Sequence, residues 1–583
     1  MVRTLSIGAC AVFTFLALLL ILSRIPLLNT LDPYIQLLAA LVICLSVIRW
    51  AANIRNVASA LSAILAFALV IVAWAYATSW LYSPGDDDYG YHIWAVWELA
   101  NGWKPFETAN DNIWLDSYPS GIYVLESYIV ATTKLLLSGQ SLTIGLIVVV
   151  ALQSFAFFDQ HIAPHLNRFR TIAGLIFSAL IVANPVVLLQ VMTHYVDAPL
   201  YLMGAGLILF LLADTFQPNK LDKLGAICCI LLMVNTKSAA LYFTPLIVIA
   251  AFISSLVLDP EKQGFITRAF NWVIRKGAGY ALVFFFGVLV IGYKPFVTNY
   301  LDHGKVLYPA VDQIMKGNVP ENILTLPAPV KFVYGIGAVT GESYWPTPFH
   351  APISLKVPGT FSIDEFKHLR YDTRRGGFGP LFSFALIASV LAWTAAIVSR
   401  PRMSAPAIRK AGAIGTLSLV LLVGCAFFPE SWWARYVPFV WMSTVLFAAS
   451  SLVVTGKGVA IHASRICVIL SVAAFSLCVL AATGGALRQN YKTYHQVLAF
   501  AHLSKYPLVE IYPENDPRIS KDYQSTTITN AGEVWGKLIE ERGTTVEIIK
   551  KYGNEVPGYK TRCKPFGWLD ADVLWCVPAH AEN

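Results

Sequence analysis

Thirteen stretches of this chain are apolar over a length that spans a lipid bilayer, and they leave few choices of fold. They lie near 5–22, 33–50, 57–82, 142–160, 171–192, 198–214, 222–236, 239–257, 277–297, 380–398, 412–428, 437–455 and 464–486. A crossing needs about 20 mainly apolar residues, and lipid leaves the backbone only its own hydrogen-bond partners, so each window is predicted to be helical. Composition agrees: 56% of the 583 residues are hydrophobic, 13% are charged, and the mean hydropathy is +0.59. These values exclude an ordinary soluble domain. The first window lacks an A-x-A-like cleavage site and a second apolar run follows closely, so it reads as a retained span and not a signal peptide.

The formal charge of +8 is a topology signal more than a nucleic-acid footprint, because the basic residues sit in short loops between spans. With the N-terminus in the cytoplasm, Arg49 and Arg55, Arg168 and Arg170, Lys220 and Lys223, Lys262 to Lys276, Arg400 to Lys410, and Lys457 with Arg465 fall on the inner side. The parity requires the segment 121–137, "GIYVLESYIVATTKLLL", to lie along the outer interface, which its Glu126 and Lys134 favour. The first outer loop is then 83–141, a large outer loop is 298–378, and a terminal segment, 487–583, also lies outside. The expected fold is an all-α polytopic membrane protein of about 13 helices (1–486), with outer-face loops and a small C-terminal soluble α/β domain. Seven of nine cysteines fall in spans; Cys563 and Cys576 lie in the terminal domain, where an oxidising compartment permits them to pair.

Polar clusters converge on the outer side. Asp86, Asp87 and Asp88, with Tyr91 and His92, interrupt the chain where a span surfaces. Crowded carboxylates repel, which raises a pKa and suits a general base; the plainer reading is a solvated helix stop. His194 and Asp197 in "THYVDAP" reach the same side, where Asp197 serves equally as a helix cap. Lys237 breaks a long apolar stretch in "VNTKSA", a costly position that implies a function such as binding an anionic head group. Arg435 in "SWWARYVP" matches phosphate oxygens, whereas Trp432 and Trp433 read as belt anchors. Gly376 and Gly377 in "RRGGFGPLF" shape either a ligand-facing turn or a plain membrane-entry turn.

In this order, "DDDYGYH", "YPSGIYVLE", "QVMTHYVDAP", "VNTKSA", "KPFVTNYLDHGKVLYP", "RRGGFGPLF" and "WWARYVP" resemble the polytopic GT-C glycosyltransferases of bacteria that use polyprenyl-phosphate sugars. The resemblance covers most of the membrane region and fades over the last hundred residues or so. It implies a GT-C fold in a bacterial inner membrane with a periplasmic active site. It also implies a first-loop carboxylate as base: Asp88, whose spacing to Tyr91 and His92 looks like the family's D-x-x-Y-H, with Asp87 in reserve. Asp86, His92, His194 and Asp197 would position an acceptor or a metal. An Ala stands where the oligosaccharyltransferase "WWD" signature has its Asp, which argues against oligosaccharide transfer to protein.

The partners so implied are a polyprenyl-phosphate-linked sugar donor, a glycan or glycolipid acceptor and membrane lipids, with no nucleic acid. Lys237, Arg435 and Lys294 are the cations expected at the donor phosphate. The scheme requires no cofactor, and no His/Cys spacing suggests zinc; a divalent cation at Asp86, Asp87 and Asp197 stays possible. Two rivals stand beside it: a transporter or flippase of a lipid-linked sugar, although no internal repeat is visible, and a polymerase or ligase using a lipid-diphosphate glycan.

Overall fold

The computed structural model describes residues 2–52, 54–164, 166, 169–258, 264–309, 318–341, 350–399, 405–456, 458–501, 503–512, 530–549, 562–565 and 574–577. Arg168, Lys262, Arg400 and Lys457, used above for orientation, lie outside the described residues.

The chain is mostly helical. Among the described residues nine helices are long and apolar enough to cross a membrane: Arg3–Ser23, Pro33–Ala51, Asn56–Thr78, Leu136–Ile162, Asp197–Phe216, Ala240–Leu258, Phe265–Ile291, Pro406–Phe427 and Val459–His495. The other four predicted windows coincide with helices of 13 to 17 residues: Arg170–Val182, Lys220–Val234, Phe382–Val398 and Phe439–Leu452. At about 1.5 Å per residue these span only about 20–25 Å. One shortening has a local cause. The window 171–192 stops at Val182 because Asn184 caps a new helix, Pro185–Gln190, accepting the Val186 N–H at 3.0 Å; the cap and the following Pro set a new helix start.

The Asp197–Phe216 helix is central, with 83% of its most apolar window buried. Its Gly204 lets the Phe439 ring come so close that a Cβ would stand 2.3 Å from it, the small-residue contact by which membrane helices pack without a hydrophobic drive. Pro33–Ala51 and Phe265–Ile291 are peripheral and present Leu38 and Leu282 outward at 61% and 72% exposure, side chains suited to a lipid environment.

Two expectations change. The segment from Gly121 is packed within the protein and not laid on its surface: the Gly121–Thr133 helix is buried over ten of its 13 residues, Glu126 completely. Its start is pinned to the polar break before Lys237, with the Gly121 N–H donating to the Asn235 carbonyl at 2.8 Å. The boundary at 486/487 falls inside one helix, Val459–Phe500, whose last turns carry polar side chains and so resemble a linker in the sequence.

The terminal domain beyond it is α/β. Its strands β1 (Leu508–Tyr512), β2 (Thr545–Ile548), β3 (Cys563–Pro565) and β4 (Leu574–Cys576) form one sheet in the order β2-β1-β4-β3. β1 and β2 are parallel, with the Ala531–Glu540 helix in the connection between them, as a parallel pair requires. Cys563 and Cys576 face each other across β3 and β4 and are joined by a disulfide. A denatured, unreduced sample is therefore expected to titrate seven free thiols, and nine after reduction.

Candidate active site

The three consecutive acids meet three different environments. The helical turn Asp88–His92 runs directly into the Ile93–Ala100 helix and carries Asp88 inward. Asp88 is fully buried; its Oδ2 accepts the Ser83 hydroxyl and, at 2.9 Å, the His194 backbone N–H. Asp87 faces outward, its side chain 40% exposed and 3.9 Å from the Arg435 guanidinium. Asp86 is hydrogen-bonded to the Tyr371 hydroxyl. Gly85 allows this crowding, since a Cβ there would stand 2.5 Å from the Tyr195 ring.

Burial pushes the Asp88 carboxyl up to about 7, against the opposing pull of His194 and the Ser83 bond. Although part of its side chain stays accessible, the Asp87 carboxyl is also raised, first by the water its packed surroundings exclude, with Arg435 opposing. His92 is buried, its Nδ1 2.6 Å from the Tyr123 hydroxyl, and burial holds it well below the usual imidazole range.

Below the acids lies a pair that the sequence did not single out. Glu126 and His194 are both sealed from solvent and meet at 2.8 Å between Oε2 and Nδ1. Burial disfavours the imidazolium, yet Glu126 and then Asp88 raise the His194 pKa above its ordinary value. Glu126 was legible only as a reason for its helix not to cross; a carboxylate amid "YVLESYIV" was the available signal of a buried partner.

The cations are engaged. Lys237 forms a buried ion pair with Asp197, and its Nζ stands 4.2 Å from the Tyr436 ring centroid. Arg435 pairs with Asp372 at 3.1 Å and lies over Trp433, Tyr195 and Tyr436; its Nε is buried without a hydrogen-bond partner. Burial works against its charge, but Asp372 and its other neighbours hold its pKa above the ordinary value. Arg374 also pairs with Asp372, and the Trp433 indole donates to the Asp372 carbonyl. Trp432 and Trp433 are thus buried inside the protein, and the belt-anchor reading fails for both. Between Asp372 and Arg374, Thr373 adopts a positive φ of 48°, a costly conformation held by its surroundings. Gln190 ties the groups together, its Nε2 donating to the Tyr371 carbonyl at 3.1 Å and standing 3.4 Å from Asp197 Oδ2.

Contacts therefore connect Asp86, Asp87, Asp88, His194, Asp197, Lys237 and Arg435, with the His92 ring tilted against Tyr195 at 5.2 Å. Lys294 pairs instead with Asp116 of the "YPSG" region. Asp86, Asp87 and Asp197 turn to different partners, and among the described residues no three His, Cys, Asp or Glu side chains form a group that could hold a metal ion.

The terminal domain forms one wall of the acid turn. Trp535 stacks on Tyr89 at 4.4 Å with ring planes 6° apart and meets Tyr82 edge-on at 5.5 Å. The Asn530 N–H donates to the Gly90 carbonyl at 3.0 Å, and the Leu136 N–H donates to Glu541 at 2.7 Å. Trp535→Ala is expected to cost about 3–5 kcal/mol, as for a fully buried aromatic, and to speed proteolytic release of the terminal domain in a time course against the wild type.

No family model, curated protein or solved structure compared with this chain matches it.

Proposed function

We propose that the chain is a glycosyltransferase of the GT-C type, crossing a bacterial inner membrane thirteen times with its N-terminus in the cytoplasm. The acid cluster and the terminal α/β domain then face the periplasm. It transfers a sugar from a polyprenyl-phosphate donor to a glycan or glycolipid acceptor. Helix ends support this polarity: Asp197, Lys237 and the acid turn gather at one end of the bundle, whereas Arg3 and Lys220 sit at the opposite ends of helices that lead there.

One observation carries the reading: an open carboxylate, Asp87, with a raised pKa, beside a largely covered guanidinium whose buried Nε has no hydrogen-bond partner. A base must come within hydrogen-bond reach of the proton it removes. Asp87 is open to an acceptor, whereas Asp88 is sealed and doubly bonded, so the order inferred from D-x-x-Y-H is reversed here. Asp87 takes the acceptor hydroxyl proton, the oxygen bonds to the anomeric carbon, and the carbon–phosphate oxygen bond breaks. Polyprenyl phosphate leaves with the electron pair, and configuration inverts. Arg435 and Lys237 meet the developing phosphate charge. The activated donor needs no acid, and a divalent cation is tested by activity in excess chelator.

The decisive experiment is mass spectrometry of envelope glycans and glycolipids from deletion cells with and without the wild-type gene. One sugar lost and restored supports the transferase. An unchanged profile together with loss of lipid-linked-sugar flipping in proteoliposomes supports the transporter, which would equally use buried charges.

A further inference from the structure

We propose that Glu126 and His194 are positioning residues that set the acid turn in register with Arg435, a role that rests on the transferase reading above. His194 and Tyr195 are consecutive, and they grip two consecutive acids. The His194 N–H holds the Asp88 carboxylate at 2.9 Å, while the Tyr195 hydroxyl stands 3.4 Å from the Asp87 N–H. The Tyr195 ring also stands 5.3 Å from the Arg435 guanidinium carbon. A two-point contact of this kind fixes both rotation and height of the turn, so Asp87 and Arg435 are located by the same short segment.

That segment is itself held from beneath by Glu126, at 2.8 Å from the His194 ring. The space is tight: a Cβ on Gly139 would stand 2.9 Å from both Glu126 Cβ and His194 Cε1. The titratable groups acting on this ring are Glu126 from its own helix, Asp88 from the acid turn, and His92, which senses the same imidazole. All four groups are buried. A neutral imidazole still donates its Nδ1–H to a carboxylate, but the charge-assisted bond of the imidazolium is the stronger one, so the pair holds its geometry most firmly while both members are charged.

The sign of the pH effect follows. The His194 pKa lies above its ordinary value in the folded protein, so the charge-assisted bond is present below that pKa and weakens to a neutral one as pH rises through it. Asp87, as a base, must be ionised, so activity falls on the acid side as its raised pKa is passed. The pH profile of transfer is therefore bell-shaped, with Asp87 on the acid limb and His194 on the basic limb.

The test uses the full-length protein in proteoliposomes with a polyprenyl-phosphate sugar, the donor and acceptor being those that the glycan comparison identifies. Glu126→Gln is expected to lower kcat about tenfold or more with donor KM little changed, and to move the basic limb to lower pH while leaving the acid limb in place. Glu126→Asp restores part of the kcat and of the basic limb. Gly139→Ala, which crowds the pair without altering charge, lowers kcat without moving either limb. Nitrogen-15 NMR of labelled histidine, assigned with His194→Gln, reads the ring without any turnover: the His194 titration is expected to lie at higher pH in the wild type than in Glu126→Gln. A His194 titration that is the same in the wild type and in Glu126→Gln, or a Glu126→Gln activity profile that coincides with the wild type, overturns the proposal. A wild type that folds and shows the His194 titration but transfers no sugar sinks the transferase reading and leaves the ion pair standing.

Discussion

On the transferase reading proposed above, Asp87→Asn is expected to lower kcat for sugar transfer about 10²–10⁴-fold, the usual contribution of a positioned base. The substitution keeps shape and removes the proton acceptor. Asp88→Asn is the informative partner. Its carboxyl is pushed up to about 7, so near neutral pH its charge is already partly titrated away. An Asn oxygen still accepts from Ser83 and from the His194 N–H, and an effect within about tenfold is expected, because the base itself is untouched. Both variants are assayed in the same proteoliposomes, with insertion checked by blotting and thermal unfolding. A folded Asp88→Asn that is as inactive as Asp87→Asn would return the base to Asp88, in line with the D-x-x-Y-H spacing.

The second large effect concerns stability. Lys237 and Asp197 are 6% and 1% exposed and form one ion pair. Removing either partner strands a buried charge, and Asp197→Asn or Lys237→Met is expected to cost about 3–5 kcal/mol in unfolding. The double variant recovers more than half of that, since it removes both charges together. Thermal unfolding in detergent completes this cycle. Activity then separates structure from chemistry: if Lys237 meets the donor phosphate, the stable double variant stays inactive. Recovery of transfer along with stability would take Lys237 out of the donor site.

Much of the helical layout was legible because hydrophobicity along a window is local information. Asp197–Phe216 was predicted within two residues at either end, since nothing inside it interrupts the apolar run. Where the prediction erred, neighbours decided. The run from Arg170 looked continuous, but Asn184 also donates to the Pro438 carbonyl at 3.1 Å, so its cap is secured by a helix more than 250 residues away. The helix from Val459 ran on past its apolar part because its polar turns find partners; Gln489 accepts the Tyr371 N–H at 2.8 Å. The segment 121–137 was moderately apolar with two charges, Glu126 and Lys134, a composition shared by interfacial and buried helices. Only the imidazole waiting for Glu126 distinguishes them.

The candidate site divides the same way. Asp86, Asp87, Asp88, His194, Asp197, Lys237 and Arg435 drew attention because each is a polar residue at an unusual place in an apolar chain. Asp372 and Tyr371 did not, since a polar loop hides one acid and one phenol among many. Residue types and their spacing along the chain determined that this protein is a bundle of apolar helices, with its acids gathered at helix ends and a small α/β domain beyond. The tertiary structure alone decided which acid is open, which is sealed and which cation each one meets. Asp88 and His194 are 106 residues apart, and Glu126 and His194 are 68 apart. Burial and partnership between such distant residues arise only when helices pack, and these are the terms that set a carboxylate's pKa and its access to a substrate.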